Sequence, residues 1–172
     1  KLKKLPKKKN LFIIEDVSEV LLSKQNKNYI GNCNWYNKEK ILSYASLHAS
    51  KTLIAGEGGI FMTNSTKISS RLKVLRNHGQ KSKKAYFYEM MGGNFRLSNL
   101  LASIGYSQLL RINKILQKKK DIDDCYKQNL SKNSNLSLMR DPKNFSSIKF
   151  GFPIILKARY DRDKIMKVLN KK

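Results

Sequence analysis

The chain is poor in acidic residues. Twelve Asp and Glu stand against 36 Lys and Arg, which leaves a formal net charge of +24. Such a balance is typical of proteins that bind nucleic acids or anionic surfaces. Here, however, the lysines are spread along the whole chain in short groups, and neither a zinc-finger nor an RNP-like aromatic motif accompanies them. A solvated lysine-rich surface is therefore the favoured interpretation, and no nucleic-acid partner is predicted.

Long apolar runs and metal-ligand clusters are scarce as well. No stretch approaches the roughly 20 apolar residues that a membrane-spanning helix needs, and the Lys-rich N-terminus is not followed by the apolar core of a signal peptide. The two cysteines, Cys33 and Cys125, lie far apart and lack metal-ligand spacing. Two thiols of this kind indicate a reducing compartment. We therefore expect a cytoplasmic chain with no membrane partner and no metal site.

The apolar pattern indicates an α/β chain. The length of 172 residues suits a single domain, and a hydrophobic content of 40% suffices for a core. The run at residues 11–14 is continuous and apolar, which predicts a strand buried on both faces. Further strands are predicted at residues 41–47 and 60–62, and an edge strand containing Pro153 at 148–156.

Helical spacing predicts the remaining elements. A helix over 66–77 is capped by Asn64-Ser65 and ended by His78-Gly79, and a last helix is capped by Asp161. The strongest helix spans about 97–116, and a second continues to about 130 after a break near Lys118. The other segments are predicted as a helical turn at 18–22 and as a turn or loops at 25–28, 32–40, 80–91 and 131–146.

One lysine lies in an unusual place. Lys51 follows the predicted strand 41–47 within a run of small residues, and a Gly-Glu-Gly-Gly turn at 56–59 leads into the next strand. A desolvated ammonium has a lowered pKa and becomes a usable amine nucleophile, as a Schiff-base lysine requires. The alternative is a lysine on a surface loop. Asp16 ends the first predicted strand, where α/β sheets bind ligands, although it could equally be a carboxylate that only terminates the strand.

Five motifs occur in a fixed order along the chain. They are Ile-Ile-Glu-Asp-Val-Ser-Glu at 13–19, Ser-Leu-His-Ala-Ser-Lys-Thr at 46–52, Gly-Glu-Gly-Gly at 56–59, Leu-Arg-Asn-His-Gly at 75–79 and Gly-Gly-Asn-Phe-Arg-Leu-Ser-Asn at 92–99. Together they resemble the DegT/DnrJ/EryC1/StrS sugar aminotransferase family, and within it the perosamine-synthase-like branch. The resemblance runs from about residue 11 to 130, with a weaker continuation to the end.

The resemblance implies an α/β aspartate-aminotransferase fold, the type I fold of pyridoxal-phosphate (PLP) enzymes. By position, the chain resembles a C-terminal portion of that fold. Residues 1–116 would form the latter part of the cofactor-binding large domain, and residues 117–172 a linker helix and the start of the small domain. The implied activity is PLP-dependent amino transfer to a nucleotide-linked keto-deoxysugar, with glutamate as the amino donor.

The resemblance also assigns site residues. Lys51 would form the Schiff base with pyridoxal 5'-phosphate and act as the catalytic acid and base, and Asp16 would pair with the pyridine nitrogen. Glu19 would lie near the phenolic oxygen, and Ser46 would bind the phosphate. Asn94 matches an asparagine that reaches the cofactor of the neighbouring subunit, which implies a homodimer with shared active sites.

Three features depart from the family pattern. The segment between Gly31 and Ser46 is longer and more polar than usual, particularly at 32–40, and Gly93 replaces a tyrosine. The family's N-terminal half, which supplies the phosphate cup and the aromatic residue that stacks on the cofactor, has no counterpart in these residues. A catalytically inactive remnant, or an interaction domain of the same fold, is therefore the alternative function.

Overall fold

A pair of parallel strands positions four of the five candidate site residues, Asp16, Glu19, Ser46 and Lys51. The computed structural model describes residues 11–81 and 86–171. Strand β1 (Ile13–Asp16) runs parallel to β4 (Ile41–Ser46), and β5 (Gly59–Met62) pairs with β4 in the antiparallel sense. The strand order is β1-β4-β5. Because β1 and β4 are parallel, their carboxyl ends meet at one edge of the sheet.

The first predicted strand is confirmed, but its burial on both faces is wrong. Ile14 in β1 is 62% exposed, and Phe12 just before it is 53% exposed. β1 lies at the edge of the three-stranded sheet and has a single strand neighbour, β4, among the described residues. β4 meets the expectation, since its buried residues include Ile41, Leu42 and Ala45. The apolar run therefore predicted the strand correctly, but it did not show that one face of the strand is exposed.

The core lies beneath the turns that follow β1 and β4. The turn after β1 contributes Val17 and Leu21, as the predicted turn at 18–22 allows. The chain after β4 contributes Leu47, Leu53 and Ala55. Two short strands, β2 (Lys24–Gln25) and β3 (Asn28–Tyr29), form a hairpin where only a turn was predicted. These buried apolar side chains fix the two turns that carry the candidate site.

The polar segment 32–40 is fastened to the start of the first helix. Asn64 donates through Nδ2 to the Asn32 carbonyl and to Asn34 Oδ1, at 2.9 and 2.7 Å. Glu39, in a 3₁₀ helix (Lys38–Lys40), accepts from the Ser65 hydroxyl at 2.5 Å. Most of the segment is a loop as predicted, and these bonds hold it beside the N-terminus of α1.

The N-caps predicted for two helices are confirmed. Helix α1 (Thr66–Leu75) is capped by Ser65, which accepts from the Ile68 amide at 3.2 Å, and His78 and Gly79 follow with positive φ. Helix α4 (Arg162–Leu169) is capped by Asp161. The loop predicted at 80–91 is present where described, but residues 82–85 lie outside the described residues.

The break predicted near Lys118 is wrong. Helix α2 (Asn99–Leu110) ends and helix α3 (Ile112–Leu130) begins at Arg111, whose amide bonds to the carbonyls of Gln108 and Leu109. Arg111 is neither glycine nor proline, the residues that most often interrupt helices, so the sequence did not indicate a break at this position. The lysines near 118 interrupt the apolar pattern, which suggested a break, but they lie within one continuous helix, α3.

The strand predicted at 148–156 is shorter than expected, and two further strands occur in a predicted loop. β6 (Leu136–Leu138) and β7 (Phe145–Ser146) lie inside the segment 131–146 that was predicted as a loop. β8 (Ile154–Leu156) pairs with β6, and Pro153 precedes β8 instead of lying within it. Proline donates no ladder hydrogen bond, so the strand begins after it. β7 pairs with β2 and so ties the C-terminal segment to the first half of the chain.

Candidate active site

Asp16 is held as a carboxylate at the end of β1. Its side chain accepts hydrogen bonds from the Tyr44 hydroxyl at 2.6 Å and from the Ser18 amide at 3.0 Å. These bonds, with Tyr44 the largest contributor, lower the pKa of Asp16, and the positive charge of Lys51 acts in the same direction. Slight burial opposes them but is outweighed. An ionised carboxylate is therefore available at this edge of the sheet.

Lys51 follows β4 and turns back to the same edge. Its ammonium forms an ion pair with Glu19 and lies 4.5 Å from the centre of the Phe150 ring. The Lys51 side chain is only 17% exposed. The sequence predicted a desolvated amine amid small residues, and the structure places a carboxylate and an aromatic face beside it. The ammonium therefore contacts an opposite charge and the face of an aromatic ring.

Ser46 and Ser18 join the two strand ends. The Ser46 amide donates to the Ser18 hydroxyl at 3.1 Å, and the Ser46 hydroxyl accepts from the His48 amide at 3.2 Å. The Lys51 amide in turn donates to the His48 carbonyl at 2.9 Å, which closes a tight turn. A short run of small and polar residues thus brings the lysine back toward the β1 end. Asp16, Glu19, Ser46 and Lys51 are thereby brought together.

Asn94 lies apart from these four residues. Its Oδ1 accepts from Arg96 Nε at 3.0 Å, and Arg96 Nη1 donates to Asn77 Oδ1 at 3.2 Å. Asn94 also forms a β-bridge with Asn77 and is exposed. No hydrogen bond between Asn94 and the strand-end residues is found in the described part of the chain. The asparagine belongs to a separate cluster of polar side chains in the chain.

Three residues of the site were not predicted from the sequence: Tyr44, Ser18 and Phe150. Tyr44 lies opposite Asp16 in the β1–β4 register, so aligning the two predicted strands in parallel could have indicated it. Ser18 lies within the first motif, but its hydroxyl bond to the Ser46 amide depends on how the two turns approach. Phe150 gave no signal, since it reaches Lys51 from the distant C-terminal segment.

The arrangement suits an aldehyde cofactor with a basic ring nitrogen. An amine and an ionised carboxylate lie at one sheet edge, since Asp16 ends β1 and Lys51 pairs with Glu19 of the turn after β1. The hydroxyls of Ser18 and Ser46 add hydrogen-bonding groups beside them. A Schiff-base lysine and an acidic partner for the ring nitrogen are what PLP needs from a protein. The residues present therefore fit the cofactor.

Two GDP-perosamine synthases are similar in sequence to this chain. It is 29% identical over 161 residues to the GDP-perosamine synthase of Escherichia coli O157:H7, covering 94% of this chain and 42% of that protein. It is 33% identical over 121 residues to the GDP-perosamine synthase of Vibrio cholerae, covering 70% of this chain and 31% of that protein. The chain thus spans less than half the length of these relatives.

Solved structures show the same fold. Helicobacter pylori PseC, described as an aminotransferase involved in pseudoaminic acid biosynthesis, matches with a TM-score of 0.87 at 25% identity, over 98% of this chain and 45% of PseC. DesV of S. venezuelae, solved with a ketimine intermediate, matches with a TM-score of 0.84 at 21% identity, over 99% of this chain and 43% of DesV. The predicted α/β aminotransferase fold is confirmed, as a part of the complete fold.

The family assignment rests on the whole sequence. The match to the family covers residues 1–172, a range that includes all five ordered motifs. The strand-end cluster of Asp16, Glu19, Ser46 and Lys51 lies within two of those motifs. The chain belongs to the DegT/DnrJ/EryC1/StrS aminotransferase family.

Proposed function

We propose that this chain is the catalytic-lysine portion of a PLP-dependent aminotransferase. The observation that carries the proposal is the placement of Asp16 and Lys51 after the carboxyl ends of the parallel strands β1 and β4, where Lys51 pairs with Glu19 of the turn that follows Asp16. When bound, PLP supplies an electron sink for the carbon from which a proton is removed. Lys51 would hold the cofactor and move that proton, and Asp16 would keep the ring nitrogen protonated.

The substrate assignment follows the named relatives. The similar proteins include GDP-perosamine synthases and a Campylobacter jejuni transaminase named for UDP-4-amino-4,6-dideoxy-N-acetyl-beta-L-altrosamine. We therefore propose a nucleotide-linked 4-keto-6-deoxyhexose as amino acceptor and glutamate as donor. Ser46 would bind the cofactor phosphate, and Glu19 would face its phenolic oxygen. Both residues already lie beside Lys51 or the turn that carries it.

The proposed assembly is a homodimer with shared sites. Asn94 is exposed and lies outside the strand-end cluster of its own subunit, as expected of a residue that serves the neighbouring subunit. Residues 1–116 would belong to the cofactor-binding domain and 117–172 to the linker and small domain. Helix α3 (Ile112–Leu130) would then cross between the two parts.

The decisive experiment is site-mapped reductive labelling. The chain is incubated with pyridoxal phosphate, reduced with borohydride and digested, and the labelled lysines are identified by mass spectrometry. We expect Lys51 to be labelled well ahead of Lys73, an exposed lysine of α1 that serves as the internal reference. Lys51→Ala should abolish the preferred label and leave Lys73 unchanged.

The same experiment tests the alternative of an inactive or interaction domain. Equal labelling of Lys51 and Lys73 would favour that alternative. Asp16→Asn separates binding from catalysis. It should keep the preferred label at Lys51 but lose most amino transfer from glutamate, because the ring nitrogen is no longer held protonated. Amino transfer at the parent rate would refute the role of Asp16.

A further inference from the structure

The C-terminal segment reaches the candidate lysine through one aromatic residue. The ring centre of Phe150 lies 4.5 Å from Lys51 Nζ, within the range of a cation–π interaction. Glu19, from the turn after β1, forms an ion pair with the same ammonium. Lys51 therefore has two partners that come from widely separated parts of the chain.

The position of Phe150 is set by its neighbours. Lys149 pairs with Asp123 of α3 at 2.8 Å, and both side chains are about 85% buried, at 14% and 15% exposure. Phe152 stacks on Tyr126 of α3, with the ring centres 4.9 Å apart. The residues on either side of Phe150 and Gly151 are thus anchored to one helix.

The same segment is also tied to the first half of the fold. The Ile148 amide donates to the Ser23 hydroxyl at 2.8 Å, and Ser23 is fully buried. β7 pairs with β2 directly before this point. Because the segment is anchored on both sides, the Phe150 ring is held over the ammonium instead of reaching it from a free loop.

We propose that Phe150 is a positioning residue for Lys51. Its ring holds the unreacted Lys51 side chain, in its ammonium form, in place beside Glu19. This proposal rests on the proposed role of Lys51 as the Schiff-base lysine. To attack an aldehyde, the ammonium first loses one proton to solvent, and the lone pair of the amine then forms a bond to the carbonyl carbon. The two protons left on nitrogen pass to the carbonyl oxygen, which leaves as water as the C–O bond breaks and the C=N bond forms. The ring stabilises only the charged form, so it restrains the amine until the cofactor arrives.

The test uses a small aldehyde that needs no cofactor site. The full chain is methylated with formaldehyde and cyanoborohydride, which supplies the hydride, and the rate at Lys51 is followed against pH with Lys73 as the reference. In Phe150→Leu, which keeps apolar volume but removes the ring, we expect Lys51 to react about two- to fivefold faster near neutral pH. The curve of Lys51 methylation rate against pH should move to lower pH. If the variant only gave formaldehyde easier access to Lys51, the rate would rise at every pH instead.

Three further variants complete the design. Phe150→Tyr keeps the aromatic face and should restore the parent profile. Phe152→Leu removes the stack on Tyr126 and should shift the profile in the same direction as Phe150→Leu, because Phe150 loses its anchor. Phe12→Leu changes a 53% exposed ring at the opposite end of β1 and should have no effect.

Failure of this proposal is distinguishable from failure of the proposed function. An unchanged Lys51 profile in Phe150→Leu would overturn the positioning role, even if pyridoxal phosphate labels Lys51 preferentially. A shifted profile together with no preferred pyridoxal-phosphate label would support the role of Phe150 and refute the Schiff-base role of Lys51. Circular dichroism of each variant shows that it is folded before its rates are compared.

Discussion

Glu19 and Lys51 form an ion pair that links the turn after β1 to the turn after β4. Glu19 is about half exposed, while Lys51 is largely covered. Half-exposed pairs contribute little to stability, so we expect Glu19→Gln to lower the free energy of unfolding by about 0.2–1 kcal/mol at low salt. The loss should fade in 1 M salt, where charges are screened over about 3 Å.

Urea titrations at the two salt concentrations measure this effect. Glu57→Gln is the matched control, because the Glu57 carboxylate is 75% exposed and lies 3.8 Å from a histidine ring nitrogen. It should change the unfolding free energy less than Glu19→Gln at low salt. A loss in Glu19→Gln that is as large in 1 M salt as at low salt would contradict a charge-based contact.

Tyr44 controls the ionisation of Asp16. Its hydroxyl is the largest cause of the lowered pKa of Asp16, and the same hydrogen bond raises the pKa of Tyr44 itself. Tyr44→Phe should therefore raise the pKa of Asp16 toward its ordinary value. The carboxyl ¹³C shift of Asp16, followed through acid titration, reports this directly.

The sign of the stability effect follows from the lowered pKa. The Tyr44–Asp16 bond stabilises the fold above the ordinary carboxyl range and is lost as the pH falls through the folded-state pKa of Asp16. The stability difference between the parent and Tyr44→Phe should therefore shrink in acid. Tyr29→Phe, in the exposed β3, should leave the Asp16 titration unchanged. A pKa of Asp16 that stays low in Tyr44→Phe would show that another group holds it ionised.

Asp123 fixes the C-terminal segment to α3. Its partial burial acts to raise its pKa, but hydrogen bonds from Lys127 and Lys149 outweigh burial and lower it. Asp123→Asn leaves Lys149 largely buried without a counter-charge, so we expect a loss of about 1.5–3 kcal/mol in the free energy of unfolding. The loss should be full above about pH 4 and should disappear as the pH falls through the lowered pKa.

Denaturant unfolding at several pH values checks this prediction. Asp163→Asn is the control, because its pair with Arg162 is exposed on both sides, at 70% and 80%. Its effect should stay within about 1 kcal/mol at every pH. Equal losses in the two variants at neutral pH would contradict the structural role of the Asp123–Lys149 pair.

The sequence identified those parts of the site that depend on short-range pattern. The run before Asp16 and the small residues around Lys51 indicated strand ends and a turn, and the parallel pairing of β1 and β4 brings such ends together. The contact of Phe150 with Lys51 depends on the packing of α3 and the C-terminal segment, which no local periodicity encodes. The break between α2 and α3 was missed for a related reason, because it falls at Arg111 and not at the glycine or proline that marks most helix breaks.

Helix α2 leaves a large apolar surface uncovered in the described chain. Its contacts with the fold include the approach of Gly105 to Ala55, where an added Cβ would meet the Ala55 Cβ at 3.3 Å. By contrast, Leu100 is 73% exposed and Leu110 is 71% exposed. Contiguous exposed apolar surface marks an interaction site. If the proposed homodimer forms through this helix, replacing both leucines by glutamate should convert dimers into monomers.

Sedimentation velocity over a range of chain concentrations measures the change. The glutamates would be desolvated in a packed interface, whereas they are solvated on an isolated helix, so helix content by circular dichroism should be retained. Val168→Glu in α4, where Val168 is 60% exposed, is the control and should leave the dimer intact. Dissociation by the α4 change but not by the α2 changes would place the interface on the C-terminal helix. Asn94, which lies in the loop before α2, would then lose its proposed route to the neighbouring site.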